Sequence, residues 1–488
     1  MTRAAIPTTG EDHGEILASM KSMRGQDADW KHGRTWSLVY FAGDAHHQLL
    51  QDSHNMFFAE NALNPMAFKS IKRMEAEVIA MSASMLHGPD DACGTMTTGG
   101  TESILMAVKA ARNRARARGP KTQRPEIVAP STAHPALIKA AHYFGLHVRK
   151  IPVGPDYRAD VRAMRKAMNK NTVLLFASAP QYPHGVIDPI DELGRLALEW
   201  GVPFHVDACI GGFVLPWIEK LGHALPTFDF RVPGVTSMSA DLHKYGFAVK
   251  GASVVIYRDM SYLEHQFFVE TDFPGGVYAS PTMTGTRGGG PIAAAWAALH
   301  AVGEDGFMEH TRIAMDAAQR LQQGIVAIPE LQLVGKPDAT LVAWCARDRA
   351  VDIYAVADRL EDAGWSVDRQ HRPACIHHTV TSNHATVVDE YLADLRDAVA
   401  FVKSHPEVSA RGNAAMYGMM AKIPFRGMVK QGVVQVLRGM YGPDAATFDP
   451  TKVGQDDGVM GKVMDVVGPT LNKVLDQVDR MRDAVRSR

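Results

Sequence analysis

The sequence predicts an α/β fold: a large domain built on a mostly parallel sheet, followed by a smaller α+β C-terminal domain. Two observations carry that prediction. From residue 71 onward short apolar runs alternate with helical stretches. A glycine-rich turn, an acid and a lysine then stand, in that order, where such runs end. Ligands collect at the strand-to-turn edge of open α/β sheets, so the pattern that predicts the fold also predicts where a site lies.

The elements follow in order. Residues 1–70 mix polar, aromatic and glycine-containing stretches without alternation, and read as an arm rather than a domain. Helical patterns run from Ile71 to Leu86, from Ile104 to Arg118 after a Gly-Thr loop, and from Pro135 to Phe144. Strands are expected at Glu126–Ala129, Val148–Val153, Val173–Ser178, Val202–Asp207, Gly234–Ser239 and Ser253–Tyr257. With the arm they divide the chain into 1–70, a large domain 71–310 and a smaller one 311–488. A long helix is expected to begin near Thr311. Strands Leu331–Val334, Leu341–Cys345 and His377–Thr381 then bracket a helix Ile353–Ala363, and the chain ends in helices that include Val467–Arg488.

The chemistry concentrates at three places. Ser239 to Gly246 carries His243 and Lys244 just after an apolar run, and a lysine so placed can form a Schiff base. Upstream, the apolar strand ending at Asp207 supplies a single acid. An amine and an acid at neighbouring strand ends suit pyridoxal 5'-phosphate: the aldehyde bonds the amine, and the carboxylate keeps the pyridine nitrogen protonated so that the ring acts as an electron sink. The third place is Gly99-Gly100-Thr101-Glu102-Ser103 before a helix, a cradle in which glycines admit an anion and first-turn amides point at it. Neither GxGxxG after a strand nor GxxxxGK[ST] occurs.

These segments, with Ala133-His134-Pro135-Ala136, Asp207-Ala208-Cys209-Ile210-Gly211-Gly212-Phe213, Tyr278-Ala279-Ser280-Pro281-Thr282 and Gly285-Thr286-Arg287-Gly288-Gly289-Gly290, resemble the sphingosine-1-phosphate lyases. That family belongs to the group II decarboxylase branch of fold-type I pyridoxal-phosphate enzymes, whose large domain is aspartate aminotransferase-like. The resemblance runs from about residue 35 to about residue 445. It implies an aldehyde-lyase that cuts the C2–C3 bond of a phosphorylated long-chain base in a retro-aldol reaction, giving a long-chain aldehyde and phosphoethanolamine. It also implies a homodimer with shared active sites, the 1–70 arm contributing to dimerisation.

Carried over residue by residue, the resemblance assigns Lys244 to the cofactor aldehyde, Asp207 to the pyridine nitrogen and His134 to stacking on the ring. Gly100, Thr101 and His243 match the cofactor-phosphate contacts, Thr286 completes that site from the partner subunit, and Cys209 lies near the ring. Candidates for the proton steps are Lys244, Tyr278, Tyr40 and Tyr417. The substrate phosphate falls to Lys250, Asn61, Asn64 and Tyr417. Two positions depart from the family: Asn64 stands where many relatives have histidine, and Phe247 where tyrosine is common. There are two rivals: an amino-acid decarboxylase, which would use the same Lys244, Asp207 and His134 but break the bond to a carboxylate, and a catalytically silent binding protein, against which the intact lysine and acid argue.

Composition narrows the partners. A net charge of −1 over 488 residues gives no basic field for nucleic acid. The four cysteines, at 93, 209, 345 and 375, form no CxxC pair and fit a reducing compartment. No secretory signal or run of ~18 apolar residues is seen, so a soluble cytoplasmic protein without a membrane anchor is expected. His46-His47 and His377-His378 are adjacent pairs that cannot share a helical face, and no metal site is expected.

Overall fold

The computed structural model describes residues 5–119, 124–348, 350–410 and 426–443, with residue 445. Two sheets organise it. The larger has seven strands: β1 (Cys93–Thr97), β2 (Glu126–Pro130), β3 (His147–Ile151), β4 (Thr172–Ser178), β5 (Phe204–Asp207), β6 (Ser237–Ala240) and β7 (Ser253–Tyr257), in the order β1-β7-β6-β5-β4-β2-β3. The pairs from β3 through β6 are all parallel, and β7 alone runs against both its neighbours. All seven residues of β4 are buried, as expected of a central strand covered on both faces. The helix Pro135–Phe144 shows the local logic of the connections: proline occupies its first turn, and Gly145 ends it in the left-handed conformation at φ 71°.

This topology positions the site. Because β2, β4, β5 and β6 are parallel, their carboxyl ends share one edge. The pairing of Thr97 with Ser253 brings the end of β1 and the start of β7 to the same edge. The strand β1 is an addition to the sequence reading, which placed a loop there. Its glycine explains both: a Cβ on Gly94 would meet the Val255 carbonyl at 2.3 Å, so only glycine allows this pairing.

A two-stranded hairpin, β8 (Phe268–Glu270) with β9 (Tyr278–Ser280), leaves the large sheet. The smaller sheet, β10 (Leu331–Leu333), β11 (Leu341–Ala346), β12 (Asp368–His371) and β13 (Ala374–Thr379), is antiparallel in the order β10-β11-β13-β12. Here β12 was not anticipated, since Asp-Arg-Gln-His carries no apolar alternation; hydrogen bonding to β13 makes it a strand.

The long helix starts at Gly289, not near Thr311, and runs to Val326 with a break at Gly303 (φ 58°, ψ 176°). It therefore connects the two sheets across residue 310. Nor is the N-terminal segment a free arm throughout. Trp36 is fully buried among Trp365, His378, His384 and Tyr391, and the helix Asp44–Met56 packs on the long helix. By contrast the helix His13–Met23 buries none of its residues. No helix among the described residues is long and apolar enough to cross a membrane. Tyr417 and the expected helix Val467–Arg488 lie outside the described residues.

Candidate active site

The site is assembled at the shared edge of the large sheet. Lys244 follows β6 in a tight turn closed by the Lys244 N–H donating to the Asp241 carbonyl at 3.2 Å. Its Nζ lies 3.0 Å from Asp241 Oδ2, with the side chain about a quarter exposed and the carboxylate buried. Burial is the largest single influence and disfavours the ammonium, but the charge of Asp241, its hydrogen bond to Nζ and the other groups around the lysine together outweigh it. Lys244 is thus held above the ordinary lysine range.

One strand over, Asp207 is 7% exposed and accepts from the Cys209 N–H at 3.1 Å and from Ser239 Oγ at 3.3 Å. Behind it His205 is buried between Ser237 and Ser239, and burial pushes it down to about 4, so it stays neutral. Cys209 donates to Ser239 Oγ at 3.2 Å. Burial first, then Asp207 and Asp241, hold its thiol well above the usual range, which makes it a packing residue and not a nucleophile.

The glycine turn closes the third side. The helix starting at Gly100 has Gly99 at its N-cap and no side chain capping its first turn. A Cβ on Gly100 would meet Cys209 Sγ at 2.6 Å and the Asp241 carboxylate at 2.8 and 2.9 Å. His243 lies on the other flank: its Nδ1 accepts from the Ala252 N–H at 3.3 Å, and a Cβ on Gly99 would come within 3.3 Å of its ring. Burial lowers the His243 pKa against the opposing pull of Asp241, so the ring is neutral. Uncapped amides, a glycine pair in which Gly100 has no room for a side chain, a lysine and a buried acid together fit pyridoxal 5'-phosphate.

The remaining expected residues divide. His134 is at the end of β2, exposed, with Nδ1 accepting from the Ala136 N–H at 3.2 Å as the helix cap. Half-buried Tyr40 comes to the site from the N-terminal segment, edge-on to Tyr245 at 5.0 Å and under Lys250 Nζ at 5.4 Å. Burial and the charges of Asp241 and Asp368 raise its phenol, making it a proton donor rather than a base. Lys250 is not simply solvated: its Nζ donates to the carbonyls of Leu38 and His243. Burial, then the neighbouring Lys244, pushes it down to about 8. Thr101 and Thr286 are exposed, and Asn61 and Asn64 lie on the turn before the helix Lys69–Met85, where their Oδ1 atoms accept backbone N–H groups. Tyr278, 39% exposed on the hairpin, makes no hydrogen bond to Lys244, Asp207 or Tyr40 among the described residues; its ring packs toward Phe268.

Three groups escaped the sequence reading. Asp241 was given no role, although its place two residues before His-Lys was a usable signal. Glu102 is buried and joins the glycine turn to the segment after the hairpin, accepting from the Thr98 N–H and Oγ1 at 2.7 Å each and from the Met283 N–H at 3.0 Å. Arg287 is buried against Glu75 through two bonds, at 2.6 and 3.1 Å, and also reaches the Met96 carbonyl at 3.2 Å. A glutamate 212 positions away gave no signal in sequence.

A lysine and an acid at the strand ends beneath a glycine cradle define a pyridoxal-phosphate enzyme, and residues 28–347 match the pyridoxal-dependent decarboxylase conserved domain. The chain is 44% identical to the sphingosine-1-phosphate lyase of Arabidopsis thaliana over 88% of its own length and 79% of that protein. It is 41% identical to sphingosine-1-phosphate lyase 1 of Rattus norvegicus over 91% of its length and 78% of that protein. Among solved structures, the sphingosine-1-phosphate lyase of Burkholderia pseudomallei superposes with a TM-score of 0.79 at 40% identity, covering 83% of this chain and 94% of that one. The chain belongs to the sphingosine-1-phosphate lyase family.

Proposed function

We propose that this protein is a pyridoxal-phosphate-dependent carbon–carbon lyase that cleaves a phosphorylated long-chain base between C2 and C3, releasing a long-chain aldehyde and phosphoethanolamine. The observation that carries the reading is the contact of Lys244 with Asp241, within the field of Asp207 and beside the glycine cradle, in a chain similar to these lyases over most of its length. Pyridoxal 5'-phosphate, when bound, supplies the aldehyde for amine capture and a ring that accepts the electron pair of the breaking bond.

The chain's own residues divide the rest of the work. Asp207 would hold the ring nitrogen protonated, its carboxylate already oriented by Cys209 and Ser239. Gly100, Thr101 and His243 would take the cofactor phosphate, and His134 would cover the ring. Tyr40, kept protonated, would donate to an oxygen near the reacting carbons and not deprotonate the 3-hydroxyl. That leaves Lys244, once neutral, as the stronger candidate base within one chain. Lys250 would offer its remaining donor and charge to the substrate phosphate, aided by Asn61 and Asn64.

Two partner assignments belong with this reading. The exposed hairpin and the Thr286 segment present Phe268, Phe273, Val277 and Tyr278 to the surface. A homodimer in which Tyr278 and Thr286 serve the partner's site would bury this face and give both residues a role. The four free cysteines fit a cytoplasmic setting.

The test is incubation of purified, cofactor-loaded protein with sphingosine 1-phosphate, with long-chain aldehyde followed by mass spectrometry. Aldehyde is expected from the wild type and none from Lys244→Ala. Carbon dioxide released from amino acids, without aldehyde from the lipid, would replace the lyase reading with decarboxylation.

A further inference from the structure

Asp241 is 2% exposed and enclosed on every side. Its Oδ2 is 3.0 Å from Lys244 Nζ and 3.6 Å from His243 Nε2. Its Oδ1 accepts from Ser253 Oγ at 2.6 Å. Ser253 in turn meets Ser103 Oγ at 2.8 Å, and Ser103 meets Thr97 Oγ1 at 2.6 Å. A chain of hydroxyls thus runs from the carboxylate to the end of β1, where the glycine turn begins, and Gly100 leaves the carboxylate room only because it lacks a Cβ. A carboxylate so deeply buried survives only with partners of this kind.

The lysine's surroundings make the consequence specific. Around Lys244 are Asp241 on its own turn, Asp207 at the end of β5 and the Cys209 thiol just beyond it, His243 beside it, Lys250 and the Tyr245 phenol across the site, and the Tyr40 phenol against Tyr245. Cys209, Tyr245 and Tyr40 are all held protonated by burial. Asp207 already accepts from Cys209 and Ser239, so Asp241 is the carboxylate in direct contact with Nζ. An ammonium has no lone pair, and a buried lysine without a counter-charge would lose its proton easily.

We propose that Asp241 is a positioning residue that holds Lys244 as an ammonium ion whenever the lysine is not bonded to cofactor, and so sets the pH at which the lysine becomes a nucleophile. The inference rests on Lys244 being the cofactor lysine. The ion pair fixes Nζ at the mouth of the glycine cradle and stores the proton that the lysine must shed before it acts. The Ser253–Ser103–Thr97 chain keeps the carboxylate turned toward Nζ.

The experiment uses cofactor-free protein and competitive labelling with acetic anhydride from about pH 6 to about pH 11, with peptide mass spectrometry reporting Lys244 and exposed Lys170 in the same digest. In the wild type, Lys244 is expected to be at least about tenfold less reactive than Lys170 near pH 9, its profile displaced upward by about one pH unit or more. Asp241→Asn, which keeps the shape and removes the charge, should move the Lys244 profile down by at least about one pH unit and leave Lys170 where it was. Asp241→Glu should restore the upward displacement.

A Lys244 profile at or below that of Lys170 in the wild type overturns the proposal without any variant, should Asp241→Asn fail to fold. Superimposable wild-type and Asp241→Asn profiles overturn it as well. The labelling uses no substrate, so a negative result removes this role from Asp241 and leaves the aldehyde assay to judge the lyase reading separately.

Discussion

The two sides of the site are built by opposite means. On the cofactor side, Asp207, Asp241, His243 and Lys244 are anchored at strand ends, largely buried, and each meets a partner within the same sheet edge. On the side proposed for the substrate phosphate, Asn64 and Lys250 are fixed mainly by contacts with backbone groups. A rigid sheet edge can hold one small, invariant molecule with little reorganisation, whereas a lipid phosphate must enter and leave. Damage to the first side should therefore appear in folding and cofactor retention, and damage to the second in KM.

The largest expected effect tests the brace between the sides. Arg287→Ala leaves the Glu75 carboxylate buried with only the Met96 N–H at 3.2 Å as a partner. Loss of one partner from a buried pair costs about 3–5 kcal/mol, so the urea midpoint should fall sharply. A midpoint within error of the wild type would show that the segment carrying Thr286 is not held by this pair.

Next in size is Gly100→Ala. The added methyl collides with Cys209 Sγ and the Asp241 carboxylate, both of which are buried and cannot swing away. Overpacking of this kind costs about 1–3 kcal/mol, and cofactor affinity should drop at least about tenfold by absorbance titration. Gly99→Ala, with its nearest contact at 3.3 Å from the His243 ring, should be the milder of the two. Equal affinities for both variants would break the assignment of the cradle's tight side to Gly100.

How much of this contrast was legible in the sequence follows from its physics. The parallel core could be read because strands such as Thr172–Ser178 are near-continuous apolar runs, and Asp207 ends one such strand. The β1 strand was hidden because Cys-Gly-Thr-Met-Thr has weak strand propensity and depends on Gly94 fitting against β7. The Arg287–Glu75 and Glu102–Met283 links were invisible for a different reason: contacts 212 and 181 positions apart leave no local pattern. The start of the long helix was misplaced because Gly288-Gly289-Gly290-Pro291 reads as a loop, whereas close packing against the Glu60 carbonyl and His54 requires those glycines within a helix.

Acid separates the sides less dramatically. His205, beside Asp207, and His384, under Trp36, are buried neutral at about 4, against about 6.5 in an unfolded chain. Each has a lowered folded pKa, so its contribution is intact above about pH 6.5 and is lost as pH falls toward about 4. Asp188, raised by burial to about 6, acts in the opposite sense: its contribution is present in acid and lost as pH rises through about 6. His184 and His377 are likewise pushed down to about 4 by burial, so these four histidines outweigh the one carboxyl, and stability should decline between about pH 6.5 and about pH 4, by up to about 1.4 kcal/mol per pH unit for each uncompensated histidine. Urea midpoints at about pH 7.5 and about pH 5 check this, and an unchanged midpoint would contradict it.

On the exposed side the readout shifts to substrate binding. Lys250, pushed down to about 8 by burial and by Lys244, is charged below that pH and neutral above it. KM for the phosphorylated substrate should rise by up to about tenfold per pH unit above about pH 8, and in Lys250→Gln it should be high and flat. A wild-type KM that does not respond to pH would remove Lys250 from phosphate binding.

Asn64 gives the smallest and most discriminating effect. Its Oδ1 accepts from the Met66 and Ala67 N–H groups at 3.0 and 3.2 Å, so the side chain shapes its own turn and leaves its amide hydrogens for a ligand. Asn64→Ala should lose both bonds, costing about 0.5–1.5 kcal/mol, and this would confuse a turn defect with a binding defect. Asn64→Asp separates them, because the carboxylate can still accept both N–H groups while it presents negative charge in place of a donor. Stability should then match the wild type while KM for the phosphorylated base rises severalfold. An unchanged KM in Asn64→Asp would make Asn64 a turn residue alone, and phosphate recognition on this side of the chain would then rest on Lys250.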